Sequence, residues 1–93
     1  MDKKASYLLL IDRLCKIDSP EEMRWLLEQL LTDAEIRDVV DRVRIYNALS
    51  NTEWTQREIA KNLGVSITKV TRGSSNIHSR KLRLYIQENF SEC

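Results

Sequence analysis

Arg57, Lys61, Lys69, Arg72, Arg80, Lys81 and Arg83 fall within residues 55–85, where Glu58 is the sole carboxylate. Seven cations against one anion give that stretch +6, although the whole chain carries only +1. Residues 1–50 hold eight Lys or Arg against ten Asp or Glu, a balance of −2. A concentrated cationic surplus of this kind neutralises phosphate, so the chemistry it implies is binding to a nucleic-acid backbone. A solvated basic face is the alternative reading, above all for Arg80, Lys81 and Arg83. Catalysis is a poor reading, and an enzyme is not expected. The chain has one histidine, His78, and two remote cysteines, Cys15 and Cys93. No Ser/His/Asp or Cys/His set can be assembled from them, and there is no Gly-rich phosphate loop. Neither cysteine has metal-ligand spacing, so no metal site is expected. Cys15 reads as a small buried hydrophobe, Cys93 as a tail thiol and His78 as an exposed loop residue.

The basic residues need elements to present them. Thr55 is placed to cap a helix, with Glu58 three residues on to complete a capping box. Gly64 tolerates the left-handed conformation that ends such a helix, and Ser66 is placed to cap the next. Ile59, Leu63, Val65 and Val70 point to a shared interior, and Ala60 is small enough for the two helices to cross closely. This is the pattern of a helix-turn-helix over about 55–74, whose second helix enters the DNA major groove.

Upstream, residues 3–17 form a first helix with Tyr7, Leu10, Ile11 and Leu14 at helical spacing. Leu8, Leu9 and Cys15 widen its apolar stripe, so it needs cover on several sides, most easily from a partner subunit. Ser19-Pro20-Glu21-Glu22 opens a second helix with Met23, Leu26, Leu27, Leu30 and Leu31 on one side. Thr32-Asp33-Ala34-Glu35 opens a third, with Ile36, Val39, Val40, Val43 and then Tyr46 or Asn47 as its apolar positions, ending at Asn51-Thr52. Trp54 beside the cap at Thr55 reads as a hydrophobic staple, and Trp25 as core. Ser74–His78 reads as a connector before a last helix, about Ser79 to Asn89, carrying Leu82, Tyr85, Ile86 and Phe90. The result is an all-α chain of six helices in a single domain, 1–93. Only three of its 93 residues are Gly or Pro.

Leu30-Leu31-Thr32, Arg42-Val43-Arg44-Ile45, Thr55-Gln56-Arg57-Glu58, Leu63-Gly64, Ile67 and Thr71-Arg72-Gly73-Ser74 together resemble the tryptophan repressor family. The resemblance runs from Leu26 to about Ile77. It implies an intertwined homodimer, repressing transcription from a palindromic operator with L-tryptophan as co-repressor and no other cofactor. In that family the amino acid wedges between the core and the reading helix. Carried over residue by residue, Arg42 and Arg72 would flank the indole ring, and Arg72 would pair with the carboxylate. Guanidinium planes stack on aromatic faces and fork onto carboxylates, so these residue types suit the task. Thr32 of the other chain would also bind the carboxylate, carbonyls near Gln29 and Leu31 would accept from the ammonium, and Gly73 would let the ring come close. Gln29 stands where an apolar residue is usual. Asn76 stands where better-known members place a serine that accepts from the ammonium.

On the DNA side, Arg57 matches the family's guanine-reading arginine, and bidentate Arg to guanine is the commonest specific base contact. Ile67, Thr68, Lys69 and Thr71 would lie on the reading helix, with Gln56, Lys61 and Arg44 toward phosphate. Members often have lysine at the position of Ala60, whereas here it sits one place on, at Lys61. Without the resemblance, Arg42 is explained by an i,i+4 pair with Asp38, and Arg72 by a helix dipole. Nothing reads as a signal peptide or a membrane span, so a cytoplasmic protein is expected. The alternatives are a regulator of the same fold with a different effector or none, and a helix-turn-helix adaptor that does not read DNA.

Overall fold

The computed structural model describes residues 1–91, so the expectation for Cys93 lies outside the described residues. Six helices and no strand are found among them: α1 Lys3–Cys15, α2 Pro20–Leu30, α3 Asp33–Asn51, α4 Gln56–Leu63, α5 Ile67–Asn76 and α6 Arg80–Asn89. Contacts divide the chain into two units, Met1–Ile36 and Arg37–Cys93, with the boundary inside α3.

In the first unit the caps act where the sequence places them. Ser19 Oγ accepts from the Glu22 amide at 3.2 Å, and Pro20 takes the first helical position of α2. Thr32 Oγ1 accepts from the Glu35 amide at 3.1 Å, while Glu35 Oε1 accepts from the Thr32 amide at 2.8 Å. That reciprocal box fixes the start of α3. α1 stops two residues earlier than expected, because the Lys16 and Ile17 amides bond three residues back, to Arg13 and Leu14, and tighten the final turn. Neither α1 nor α2 buries a residue. Cys15 is therefore exposed rather than buried, and Trp25 is 60% exposed rather than core.

In the second unit Thr55 and Glu58 form the expected capping box of α4. Gly64 turns the chain at φ 68°, and the Val65 amide reaches back to Ala60 O at 3.1 Å. Ser66 then caps α5 through the Lys69 amide at 3.1 Å. α4 and α5 pack on each other and on the C-terminal half of α3. Their core is Ile45, Ala48, Ile59 and Val70, with Leu49, Ala60, Leu63 and Val65 against it. Ile59 and Val70 are fully enclosed. Each such side chain contributes about 1.5–3 kcal/mol of apolar transfer.

The buried face of α3 is Ile45 and Ala48, not the stripe Ile36, Val39, Val40, Val43 that the sequence picks out. Val39 and Val40 remain 45% and 50% exposed, because they project from the side of α3 away from Ile45 and Ala48, the side that the α4–α5 pair covers. α5 also continues through Ser74-Ser75-Asn76, which the sequence reads as connector; the Ile77 amide still bonds to Gly73 O at 3.0 Å. α6 is tied to the end of α3 by Arg83 Nη1 donating to Leu49 O at 3.2 Å and Gln87 Nε2 donating to Ser50 O at 3.0 Å. These bonds satisfy two carbonyls in the last turn of α3, which have no intrahelical partner.

Candidate ligand recess and reading helix

α3 and α5 face each other with stripes of identical spacing. Asp38, Asp41, Arg42 and Ile45 stand at i, i+3, i+4 and i+7 of one helical face, and Lys69, Arg72, Gly73 and Asn76 repeat that interval on the other. Between them lies a recess of about 100 Å³, lined by these eight residues. At one end Lys69 Nζ lies 3.3 Å from Asp38 Oδ1 and 3.2 Å from Asp41 Oδ2. These two hydrogen bonds, Asp41 first, raise the Lys69 pKa above its ordinary value. At the floor Ile45 meets Gly73, where an added Cβ would stand 2.7 Å from Ile45 Cγ2. The space left by the missing side chain is thus already taken by α3.

Arg42 and Arg72 enter the recess with no hydrogen bond or ion pair among the described residues. The proposed local explanations for them do not apply. Asp38 is paired with Lys69 and not with Arg42, and Arg72 sits in the body of α5 and not in its last turn. Asn76 lies in the lining as well. Gln29, Leu31 and Thr32 belong to the first unit and are not among the lining residues; Thr32 there caps α3. Asp38, Asp41 and Ile45 are the lining residues that sequence reasoning leaves out. The repeated i, i+3, i+4, i+7 interval is the signal that finds them.

The residues expected to face DNA are distributed over α4 and α5. Arg57 and Lys61 are exposed on α4 and unpaired among the described residues. Ile67, Thr68 and Thr71 are exposed on α5 and share a shallow face with Arg72 and Ser75. Gln56 Oε1 accepts from Thr71 Oγ1 at 2.9 Å, which links the start of α4 to the middle of α5. Arg44, half-buried, is engaged within its own chain: its Nη2 donates to Leu63 O at 3.1 Å and its Nη1 lies 3.5 Å from Asp41. Lys69 is likewise turned to α3.

The sequence profile of the Trp repressor protein matches residues 5–86. The chain belongs to the Trp repressor family. Members of that family are DNA-binding transcriptional regulators and not enzymes. Among its relatives, a Trp operon repressor homolog of Xylella fastidiosa (strain M23) is 44% identical over 91 residues, covering 98% of this chain and 99% of the relative. One from Vibrio parahaemolyticus is 36% identical over 78 residues, covering 77% and 75%. One from Chlamydia trachomatis serovar D is 43% identical over 60 residues, covering 64% of each. No solved structure gives a significant match. Among the described residues no helix is long and apolar enough to cross a membrane.

Proposed function

We propose that this Trp repressor family member binds a palindromic operator as a homodimer, with L-tryptophan as its co-repressor. The observation that carries the proposal is the pair of unpartnered guanidiniums, Arg42 and Arg72, in the recess between α3 and α5. Each offers a flat cationic face to an aromatic ring, and Arg72 also offers a fork to a carboxylate. A recess of about 100 Å³ is small against the roughly 300 Å³ or more of an ordinary small-molecule site. In this proposal the partner subunit supplies the missing wall through Thr32 and the carbonyls near Gln29 and Leu31, and Asn76 accepts from the ammonium.

The dimer rests on the uncovered first unit. Tyr7 and Leu8 are 64% and 57% exposed, and Leu9, Leu10 and Ile11 stand beside them. So much contiguous apolar surface on one short chain calls for a partner, and a second copy is the simplest one. Sedimentation at low micromolar concentration is expected to give one species of twice the chain mass, and a stable folded monomer contradicts the dimer.

DNA binding in this proposal follows from the second helix of the helix-turn-helix, which in such motifs, the Trp repressor's included, lies in the major groove. Arg57 reads a base, and Lys61 and Gln56 meet phosphate. The effector, seated behind α5, sets where the two reading helices stand. The cytoplasm is the compartment where such a protein meets both DNA and the amino acid. One observation favours a second reading, a regulator of the same fold with another effector: Asn76 lines the recess in place of serine. Calorimetric titration separates the two. L-Tryptophan is expected to bind once per chain, with L-phenylalanine and indole-3-propionate weaker. No heat with L-tryptophan up to millimolar concentration removes the co-repressor reading.

A further inference from the structure

The Lys69–Asp38–Asp41 contact is part of a longer chain of bonds. Asp41 holds Lys69 of α5 on one side and Arg44 of its own helix at 3.5 Å on the other. Arg44 passes on to the carbonyl of Leu63, the last residue of α4, at 3.1 Å. One acidic position on α3 thus ties down the start of α5 and the end of α4, the two helix ends that flank the turn. The far half of α5 is held differently, by Gly73 packed against Ile45. Between the two attachments stand Arg42 and Arg72, like charges with no partners among the described residues.

We propose that Lys69, Asp38 and Asp41 are positioning residues, a strut that holds the reading helix against α3 while the effector recess is empty. The inference rests on the reading of α5 as the DNA-reading helix and of the recess as the effector site. Its consequence is a repressor partly preorganised without ligand, whose response to the effector is correspondingly small. It also gives Lys69, placed by the sequence on the reading helix, the role of a tether.

Two variants remove the strut from opposite sides. Lys69→Met keeps the aliphatic stem and removes the cation. The double variant Asp38→Asn with Asp41→Asn keeps the shape and the lysine and removes two negative charges near the DNA. Exposed ion pairs are weak, so effects of about threefold to tenfold are expected for a dimer with two struts. The first readout needs no ligand: amide hydrogen exchange over residues 67–76 of the full-length apo protein should quicken by that factor in both variants, with α6 unchanged. The second is the ratio of operator affinity with and without saturating L-tryptophan at fixed salt. General charge effects on DNA cancel in that ratio, which should rise in both variants. Unchanged exchange in either variant overturns the strut. So does a ratio that fails to rise in either variant of a protein that responds to L-tryptophan. If the unaltered protein ignores L-tryptophan altogether, the co-repressor reading falls and the exchange result alone decides the strut.

Discussion

Gly73→Ala sets two known effects against each other at one site. On helix propensity alone, alanine in the middle of α5 should stabilise by about 1 kcal/mol. The packing argues the reverse. The new Cβ would stand 2.7 Å from Ile45 Cγ2, and Ile45 is 3% exposed, so it has almost no room to retreat. Ile45 is also β-branched and helical, which confines its χ1 to essentially one rotamer. Overpacking of this kind costs about 1–3 kcal/mol, and the stiffness of Ile45 puts it toward the upper end. The net expectation is a loss of roughly 1–2 kcal/mol per protomer, given these opposing terms. Ile45→Leu moves the branch from Cβ to Cγ and removes the clashing methyl. Combined with Gly73→Ala, it should recover most of the loss, a coupling of about 1 kcal/mol or more. Urea unfolding followed by circular dichroism measures all four proteins, at one protein concentration because a dimer's midpoint depends on it. A Gly73→Ala protein more stable than the parent, or a double variant showing no coupling, would refute the packing argument.

Arg57→Ala should weaken operator binding by roughly 1–3 kcal/mol and relax preference at one base pair. Lys61→Ala should weaken all sequences alike and lower the salt slope by about one; fluorescence anisotropy on matched and mismatched DNA across a salt series separates them, and equal losses on every DNA refute the two roles. Asn76→Ser should leave L-tryptophan affinity intact or tighten it by calorimetry, because a buried ammonium short of an acceptor costs on the order of 1–3 kcal/mol. A tenfold loss in that variant would mean that the asparagine is the better partner.

The helix ends were legible because their chemistry is local. Ser19, Thr32, Thr55, Ser66 and Ser79 each accept from an amide three residues on, and Gly64 adopts the one positive φ among the described residues. The helix-turn-helix interior was legible for the same reason, since Ile59, Leu63, Val65 and Val70 lie within twelve residues. The buried face of α3 was not. Its most regular apolar stripe, Ile36 to Val43, is largely uncovered within the chain, whereas Ile45 and Ala48 are buried by helices that follow later in the sequence. Periodicity tells which side of a helix is apolar but not which side a later neighbour covers. At the site, Arg42, Arg72, Gly73 and Asn76 were found through resemblance, and the structure brings all four to one recess. The Lys69 contacts escaped because they join residues 28 and 31 positions apart.

The most direct test is operator binding with and without L-tryptophan, for the unaltered protein and for Arg72→Ala. The DNA is a palindromic site recovered from a random pool by selection with this protein, and the readout is fluorescence anisotropy at constant salt. The account predicts that L-tryptophan tightens binding by the unaltered protein. Arg72→Ala, lacking both the stacking plane and the carboxylate partner, should bind with the same affinity whether or not the amino acid is present. Identical binding by the unaltered protein with and without L-tryptophan up to millimolar concentration, or a full response from Arg72→Ala, would contradict it.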